Sequence, residues 1–142
     1  MDASKPPSAL CIFEDDRYAD FFPLSLARPV FDLAIGVHSL RNRIADEINP
    51  DALALLCRPY LAAIVAAEGA EEGGRAITVN ELPAGAGEVL FLNGRIIAYG
   101  SELRDFVSGM DADALLRKNG TIVAARLSGE RAAALASYIG AS

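Results

Sequence analysis

Between an apolar segment and a predicted helix, the chain reads Pro23-Leu24-Ser25-Leu26-Ala27-Arg28-Pro29-Val30-Phe31-Asp32-Leu33. Each proline fixes its own φ and keeps the preceding residue out of the α region, so we expect an extended, stiff loop. A stiff loop after a strand can hold Arg28 in a fixed place, and a guanidinium suits a phosphate. Residue types alone leave a plainer alternative open, in which Arg28 lies on the surface or pairs with an acid such as Asp32.

Apolar segments that suit buried strands alternate with helical segments along the rest of the chain. Residues 9–13 are a continuous apolar run, which is typical of a strand covered on both faces. The alternation predicts an α/β fold with a mostly parallel, Rossmann-like sheet and helices on both faces. Further strands are predicted at residues 52–57, 76–79, 89–92 and 121–127. Helices are predicted at residues 40–48, 59–68, 101–107, 112–118 and 128–138.

Two of these helices carry more specific expectations. In the helix at residues 40–48, the spacing of the apolar residues turns Arg41 toward solvent, and contact with a ligand near the helix start is the alternative. In the helix at residues 112–118, Asp111 is the expected N-cap, and Gly120 follows the last turn.

Acidic residues follow the first predicted strand, where the chain reads Glu14-Asp15-Asp16. Ligands of open α/β sheets collect at the carboxyl ends of the strands. Carboxylates at this place could hold Mg²⁺ through oxygen ligands, with Asp15 and Asp16 as the candidates. A solvated acidic turn is the alternative interpretation.

Composition limits the classes of protein to which the chain can belong. A length of 142 residues suits one domain, and we expect residues 1–8 to be a disordered tail and residues 9–142 to form the domain. The net charge of −6 argues against a nucleic-acid partner and against an anionic membrane surface. No window is apolar enough to span a membrane, and the first residues do not read as a secretory signal, so we expect a cytoplasmic protein. Cys11 and Cys57 lie in apolar runs and are expected to be core residues rather than a disulfide or a metal pair.

The proline-rich loop resembles the loop that follows the first strand of sugar-phosphate nucleotidyltransferases. The matching residues are Pro23-Leu24-Ser25, then three residues, then Pro29. The whole run to Leu40 is similar to a divergent, glucosamine-1-phosphate uridylyltransferase-like branch of that family. In that branch, this domain precedes a left-handed β-helix acyltransferase domain. The resemblance implies a truncated nucleotide-diphosphosugar transferase fold, present here as the N-terminal fragment of a longer protein that forms a homo-oligomer through its C-terminal domain.

The resemblance also implies an activity and a set of site residues. The family joins a nucleoside triphosphate to a sugar-1-phosphate and releases pyrophosphate, and UDP-N-acetylglucosamine is the product suggested by the branch. Arg28 would be the catalytic phosphate clamp, and Ser25, Asn93 and Gly94 would contact the nucleotide or the sugar. Mg²⁺ would be the expected cofactor.

Several family residues are replaced in this chain. Glu14-Asp15-Asp16-Arg17 stands where the family has a Gly-x-Gly-Thr-Arg loop, Val30 stands at the place of a lysine, and Asn93 at the place of a metal-binding aspartate. We therefore expect this chain alone to be inactive. A degenerate, non-catalytic domain that positions or regulates the downstream acyltransferase is the alternative, and an unrelated α/β binding module is the third hypothesis.

Overall fold

The computed structural model describes residues 9–22, 24, 26, 28–35, 38–69, 76–83, 87–95 and 102–140. Within these residues the strands are β1 (Ala9–Phe13), β2 (Ala34–Ile35), β3 (His38–Ser39), β4 (Ala52–Leu56), β5 (Ala76–Val79), β6 (Glu88–Asn93), β7 (Ala114–Lys118) and β8 (Thr121–Ser128). The α-helices are α1 (Leu40–Ile48), α2 (Ala62–Gly69), α3 (Glu102–Ser108) and α4 (Gly129–Gly140). Short 3-10 turns lie at Asp16–Phe21, Val30–Asp32 and Pro59–Leu61.

The main sheet has the strand order β5-β4-β1-β6-β8-β7 in the described part of the chain. β1 pairs in parallel with β4 on one side and with β6 on the other, and β4 pairs in parallel with β5. β8 runs antiparallel to both β6 and β7. The prediction of a mostly parallel sheet is therefore confirmed. β2 and β3 form a separate antiparallel ribbon.

Helices cover both faces of the sheet, as predicted. One apolar cluster joins the sheet to α1, α2 and α3 through Ile44, Val65 and Leu103. The cluster on the opposite face joins the sheet to α4 through Leu135 and Ile139. Because both faces are covered, β1 and β4 carry apolar side chains at every position, and the burial of β1 is complete along its length.

Helix α1 has the predicted bounds, but the predicted outward orientation of Arg41 is wrong. The Arg41 side chain is 6% exposed, and its Nε lies 2.8 Å from Oδ1 of Asp32, whose side chain is 4% exposed. Asp32 belongs to a 3-10 turn that packs against α1, so it supplies a buried counter-charge that periodicity alone does not reveal. At the other end of the helix, Asn49 adopts a φ of 54°, which suits a residue that ends a helix.

The predicted helix at residues 112–118 is wrong, because Ala114–Lys118 forms strand β7. Asn119 and Gly120 adopt φ angles of 53° and 77°. Positive φ at both central residues is the hairpin geometry that an Asn-Gly pair favours. This turn sends the chain directly back into β8, and Gly120 is a hairpin residue rather than the residue after a helix.

The structure bears on the other predictions, which concern the N-terminal tail, membrane-spanning segments and the two cysteines, to different extents. The tail at residues 1–8 lies outside the described residues. None of the described helices is both long and apolar enough to cross a membrane. Both cysteines are free thiols, with Cys11 buried and Cys57 half-buried.

Candidate functional site

The strand order reverses at β1, which makes its carboxyl end the topological switch point of the sheet. From β1 the chain proceeds outward through β4 and β5, and then returns to place β6 on the other side of β1. In open α/β sheets, ligands bind in the crevice outside the carboxyl ends of the strands at this point. Glu14 and Asp15 follow β1 here, and Asn93, Gly94 and Arg95 lie at the end of β6.

Asp15 is the centre of a polar cluster at the switch point. Its Oδ1 accepts a hydrogen bond from the backbone N–H of Arg17 at 3.0 Å, which caps the first 3-10 turn. Its Oδ2 accepts from Nδ2 of Asn93 and from Nη2 of Arg95, each at 2.8 Å. The side chains of Arg95 and Asp15 are 29% and 18% exposed, so solvent and solutes can still reach the pair.

Asn93 is buried and organises this cluster. Its Nδ2 also donates to the carbonyl oxygen of Ile122 at 3.1 Å, and its Oδ1 accepts from the backbone N–H of Arg95 at 3.0 Å. The amide therefore connects the ends of β1, β6 and β8. The predicted contact of Asn93 with a sugar or nucleotide stays a prediction, and the structure gives the side chain a positioning role.

Gly94 is a site of close backbone approach. Its N–H donates to the carbonyl oxygen of Phe13 at 2.8 Å. A Cβ at Gly94 would lie 2.6 Å from Cβ of Phe31 and 3.1 Å from the Phe13 oxygen. Glycine is thus required by packing against the 3-10 turn that contains Phe31, and the predicted ligand contact of Gly94 stays a prediction.

Glu14 joins three segments of the chain through one buried carboxylate. Oε1 accepts from the backbone N–H of Val30 at 3.1 Å and from Nη2 of Arg58 at 2.9 Å. Oε2 accepts from the backbone N–H and from Nε of Arg58 at 3.2 Å and 3.0 Å. The end of β1, the end of β4 and the end of the proline-rich loop are therefore fixed to one another.

The loop itself is held by Arg58 and Tyr60. Nη2 of Arg58 donates to the carbonyl oxygen of Arg28 at 3.2 Å, and the Tyr60 hydroxyl donates to the carbonyl oxygen of Leu26 at 2.9 Å. Nη1 of Arg58 donates to the Tyr60 hydroxyl at 2.6 Å. Arg28 itself is exposed, in keeping with a side chain that faces the solvent side of the loop. Ser25 lies outside the described residues.

The carboxylates described at this edge are held by hydrogen-bond donors of the protein. Within the described residues, no group of three His, Cys, Asp or Glu side chains is placed to hold a metal ion. Both oxygens of Asp15 and both oxygens of Glu14 accept hydrogen bonds from the protein. The side chain of Asp16 lies outside the described residues. The Mg²⁺ site at Asp15 and Asp16 stays a prediction.

A pocket of about 120 Å³ opens beside Asp15 on the α4 side of the sheet. It combines a carboxylate, a threonine hydroxyl and a tyrosine ring with the apolar side chains of Phe13, Ile122 and Ile139. Such a lining suits a small polar ring that has both hydroxyl groups and an apolar face. Its walls are formed by Phe13, Asp15, Gly120, Thr121, Ile122, Tyr138 and Ile139.

A second pocket, of about 440 Å³, lies at the ends of β4 and β5 against α4. Cys57 is in its wall, where burial first, and then the nearby carboxylates of Glu14 and Asp32, raise the pKa of the thiol to about 12. The thiol therefore stays protonated at neutral pH and is unsuited to nucleophilic chemistry. This agrees with the expectation that Cys57 has a packing role.

Sequence reasoning missed Arg58 and Arg95 as members of the site. Each arginine follows the carboxyl end of a strand, and this position was the available signal. The acid with which each arginine pairs cannot be read from nearby residues, since Arg95 and Asp15 are 80 residues apart in the sequence.

Comparison with known proteins gives one result about the family. A search of curated proteins finds no match to the chain. The family model described as sugar nucleotidyl transferase matches residues 10–139, which cover the described strands of the main sheet apart from Ala9 and include the cluster around Asp15. The chain therefore belongs to the sugar nucleotidyl transferase family.

Proposed function

We propose that the chain binds a nucleoside triphosphate and a sugar-1-phosphate at the carboxyl ends of β1 and β6. An oxygen of the sugar phosphate would attack the α-phosphorus of the triphosphate. The bond from that phosphorus to the bridging oxygen would break, and pyrophosphate would leave. Catalysis of this kind depends mainly on positioning and on neutralising phosphate charge.

The observation that carries the proposal is the guanidinium of Arg95 at the switch point. One of its nitrogens is held by Asp15, while its Nε is buried and meets no acceptor in the described part of the chain. The Arg95 side chain is 29% exposed, so N–H groups of the guanidinium that the protein leaves unused can donate hydrogen bonds to phosphate oxygens. The position also agrees with the general location of ligands in open α/β sheets.

Arg28 is proposed as the second phosphate contact. Its backbone is fixed by Arg58, and Arg58 is fixed by Glu14, which directly precedes Asp15 in the chain. Two arginines are thus supported from the same edge of the sheet, and they would share the charge of a triphosphate. Ser25, on the same loop, is retained as a ligand contact suggested by the resemblance.

The sugar would occupy the 120 Å³ pocket beside Asp15. Its hydroxyl groups could donate to the carboxylate and exchange hydrogen bonds with Thr121, while the Tyr138 ring would cover its apolar face. Uridine triphosphate and N-acetylglucosamine-1-phosphate are the first pair to test, because the resemblance points to them. The β-helix acyltransferase domain, assembly through it and a cytoplasmic location remain expectations from that resemblance.

Isothermal titration calorimetry with each nucleoside triphosphate tests the binding step. We expect Arg95→Ala and Arg28→Ala each to weaken binding by about 1.5–3 kcal/mol, the size of a hydrogen bond to a charged group. Arg131→Ala is the matched control, since this arginine lies on α4 and pairs with Asp113 before β7. Equal affinity of the wild-type and Arg95→Ala chains would refute the assignment of the site.

Turnover is measured separately from binding, by pyrophosphate release in the presence of the sugar phosphate. Binding that depends on Arg95 without any release would support the non-catalytic alternative. Release that disappears in Arg95→Ala would support transferase activity.

A further inference from the structure

Strand β7 is the last strand on its side of the sheet in the described part of the chain. Leu115 and Leu116 are 42% and 41% exposed, and they lie on opposite faces. Leu115 is opposite Ala125, which packs on the α4 face, and Leu116 is opposite Ala124, which packs on the other face. Alternate N–H and C=O groups of an edge strand point away from the sheet, so this edge offers hydrogen bonds as well as apolar side chains.

The outer edge of β7 is regular despite a bulge in the hairpin. The residue opposite Leu116 is Ala124, whereas the residue opposite Arg117 is Ile122. The extra residue is therefore Val123, which belongs to β8. Because β7 contributes no extra residue, its backbone is not interrupted on the side that faces away from β8.

Charges are arranged along β7 with opposite signs at its two ends. Asp113 precedes the strand, and its carboxylate lies 3.4 Å from Nη1 of Arg131 on α4, which places it on the α4 face. Arg117 is opposite Ile122, which also packs on the α4 face. On the α4 face, Leu115 therefore lies between an acid, Asp113, and a base, Arg117.

We propose that β7 pairs antiparallel with β7 of a second copy of this chain, about a two-fold axis at Leu115. Leu115 then lies opposite Leu115 of the second copy, and Asp113 lies opposite Arg117 at both ends. On the other face, Ala114 lies opposite Leu116. The contact is isologous and closed, and it joins the two sheets into one.

The charge pattern selects this register. If the axis passed through Leu116 instead, Leu115 would face Arg117, and Asp113 would face Asn119, so no charge pair would form. Charged residues on an edge strand commonly prevent pairing with other chains. Here the charges favour the register that brings acid to base over the neighbouring one. The strand at the opposite edge, β5, contains no charged residue to provide such a selection.

Sedimentation velocity over a range of protein concentrations tests the proposal with the wild-type chain. A concentration-dependent dimer is expected. Leu115→Glu should weaken dimerisation about tenfold or more, because the substitution places two like charges at the axis. Ile64→Glu on α2 is the matched control, since Ile64 is 49% exposed and lies away from β7, and it should leave the dimer unchanged. Circular dichroism confirms that each variant is folded.

A double-mutant cycle tests the register. Asp113→Asn is chosen because Asp113 has a φ of 58°, and asparagine tolerates this conformation. Arg117→Gln should weaken the dimer when Asp113 is present and have much less effect in the Asp113→Asn chain. Three results would overturn the proposal: a monomer at every concentration, open-ended assemblies, or a dimer that survives Leu115→Glu. Additive effects in the cycle would overturn the register.

Discussion

The guanidinium of Arg58 meets the carboxylate of Glu14 at two points, although the two residues follow different strands. The Nη2–Oε1 distance is 2.9 Å and the Nε–Oε2 distance is 3.0 Å. The two side chains are 9% and 1% exposed, respectively. The same carboxylate accepts from the N–H of Val30, so one buried charge pair fixes the proline-rich loop to the ends of β1 and β4.

We predict that Glu14→Gln destabilises the protein strongly. The substitution keeps the shape of the side chain but leaves the Arg58 charge buried without a counter-charge. The free energy of unfolding should fall by about 3 kcal/mol, the low end for breaking a buried ion pair. Urea unfolding followed by circular dichroism measures the change.

Asp20→Asn is the control for this prediction. Asp20 pairs with Arg17 at 3.0 Å, but both side chains are 60% exposed. Loss of such a surface pair should change the free energy of unfolding by at most about 0.5 kcal/mol. If Glu14→Gln cost no more than Asp20→Asn, the pair with Arg58 would not be what holds the loop.

Gly94→Ala is predicted to destabilise the protein by about 1–3 kcal/mol, the usual cost of overpacking. The added Cβ would lie 2.6 Å from Cβ of Phe31. The carbonyl oxygen of Phe13, at 3.1 Å, leaves little room for the backbone of residue 94 to shift away from Phe31. Gly87→Ala is the control, because a Cβ there meets nothing within 4 Å. Urea unfolding of the two variants gives the comparison. Phe31→Ala keeps the obstructing Cβ and should not rescue Gly94→Ala, so a rescue would show that the conflict lies elsewhere.

The core of the fold could be predicted from local signals in the sequence. The continuous apolar run of β1 suits a strand covered on both faces. Ser39 before α1 and Asn49-Pro50 after it are local start and stop signals, and the helix has the bounds that they indicate. Strand β7 was predicted as a helix because Asp111 suits an N-cap and Gly120 suits the residue after a last turn, while the adjacent Leu115 and Leu116 give no alternation typical of a strand. The Asn119-Gly120 pair was the signal that could have decided between the two structures.

The partners within the site could not be predicted in the same way. The carboxyl ends of parallel strands meet at one edge, so acids after β1 and arginines after β4 and β6 were bound to come close together. The choice of Arg58 for Glu14 and Arg95 for Asp15 depends on side-chain packing across 44 and 80 residues of chain. Arg41 shows the same limit, because its helical position suggests solvent while Asp32 holds it in the interior.

Stability should fall in alkaline solution, and part of the fall should come from Cys57. Burial, with the carboxylates of Glu14 and Asp32, raises the pKa of this thiol from 9.0 to about 12. Above the ordinary pKa the unfolded chain loses the proton while the folded chain keeps it, so the free energy of unfolding decreases as the pH rises from about 9 toward 12. Urea unfolding of wild-type and Cys57→Ala chains at neutral and alkaline pH measures this contribution. The Cys57→Ala chain should lose less stability, and identical pH profiles would contradict the assignment.

The last prediction concerns the role of Asp15 in nucleotide binding. If Arg95 binds a phosphate, the carboxylate of Asp15 competes with that phosphate for the guanidinium, since the two side chains lie 2.8 Å apart. Asp15→Asn removes one negative charge beside the site and should tighten triphosphate binding about threefold to tenfold, an effect of roughly 1 kcal/mol. Calorimetry with and without Mg²⁺ is the measurement, and Asp20→Asn, which removes an exposed charge from the neighbouring 3-10 turn, is the control.

If Asp15 instead holds Mg²⁺, Asp15→Asn should weaken binding, and only when the metal is present, because a carboxylate ligand would be lost. Tighter binding without Mg²⁺ therefore supports a phosphate site built on Arg95, whereas weaker binding confined to Mg²⁺ would establish the metal site predicted from the sequence.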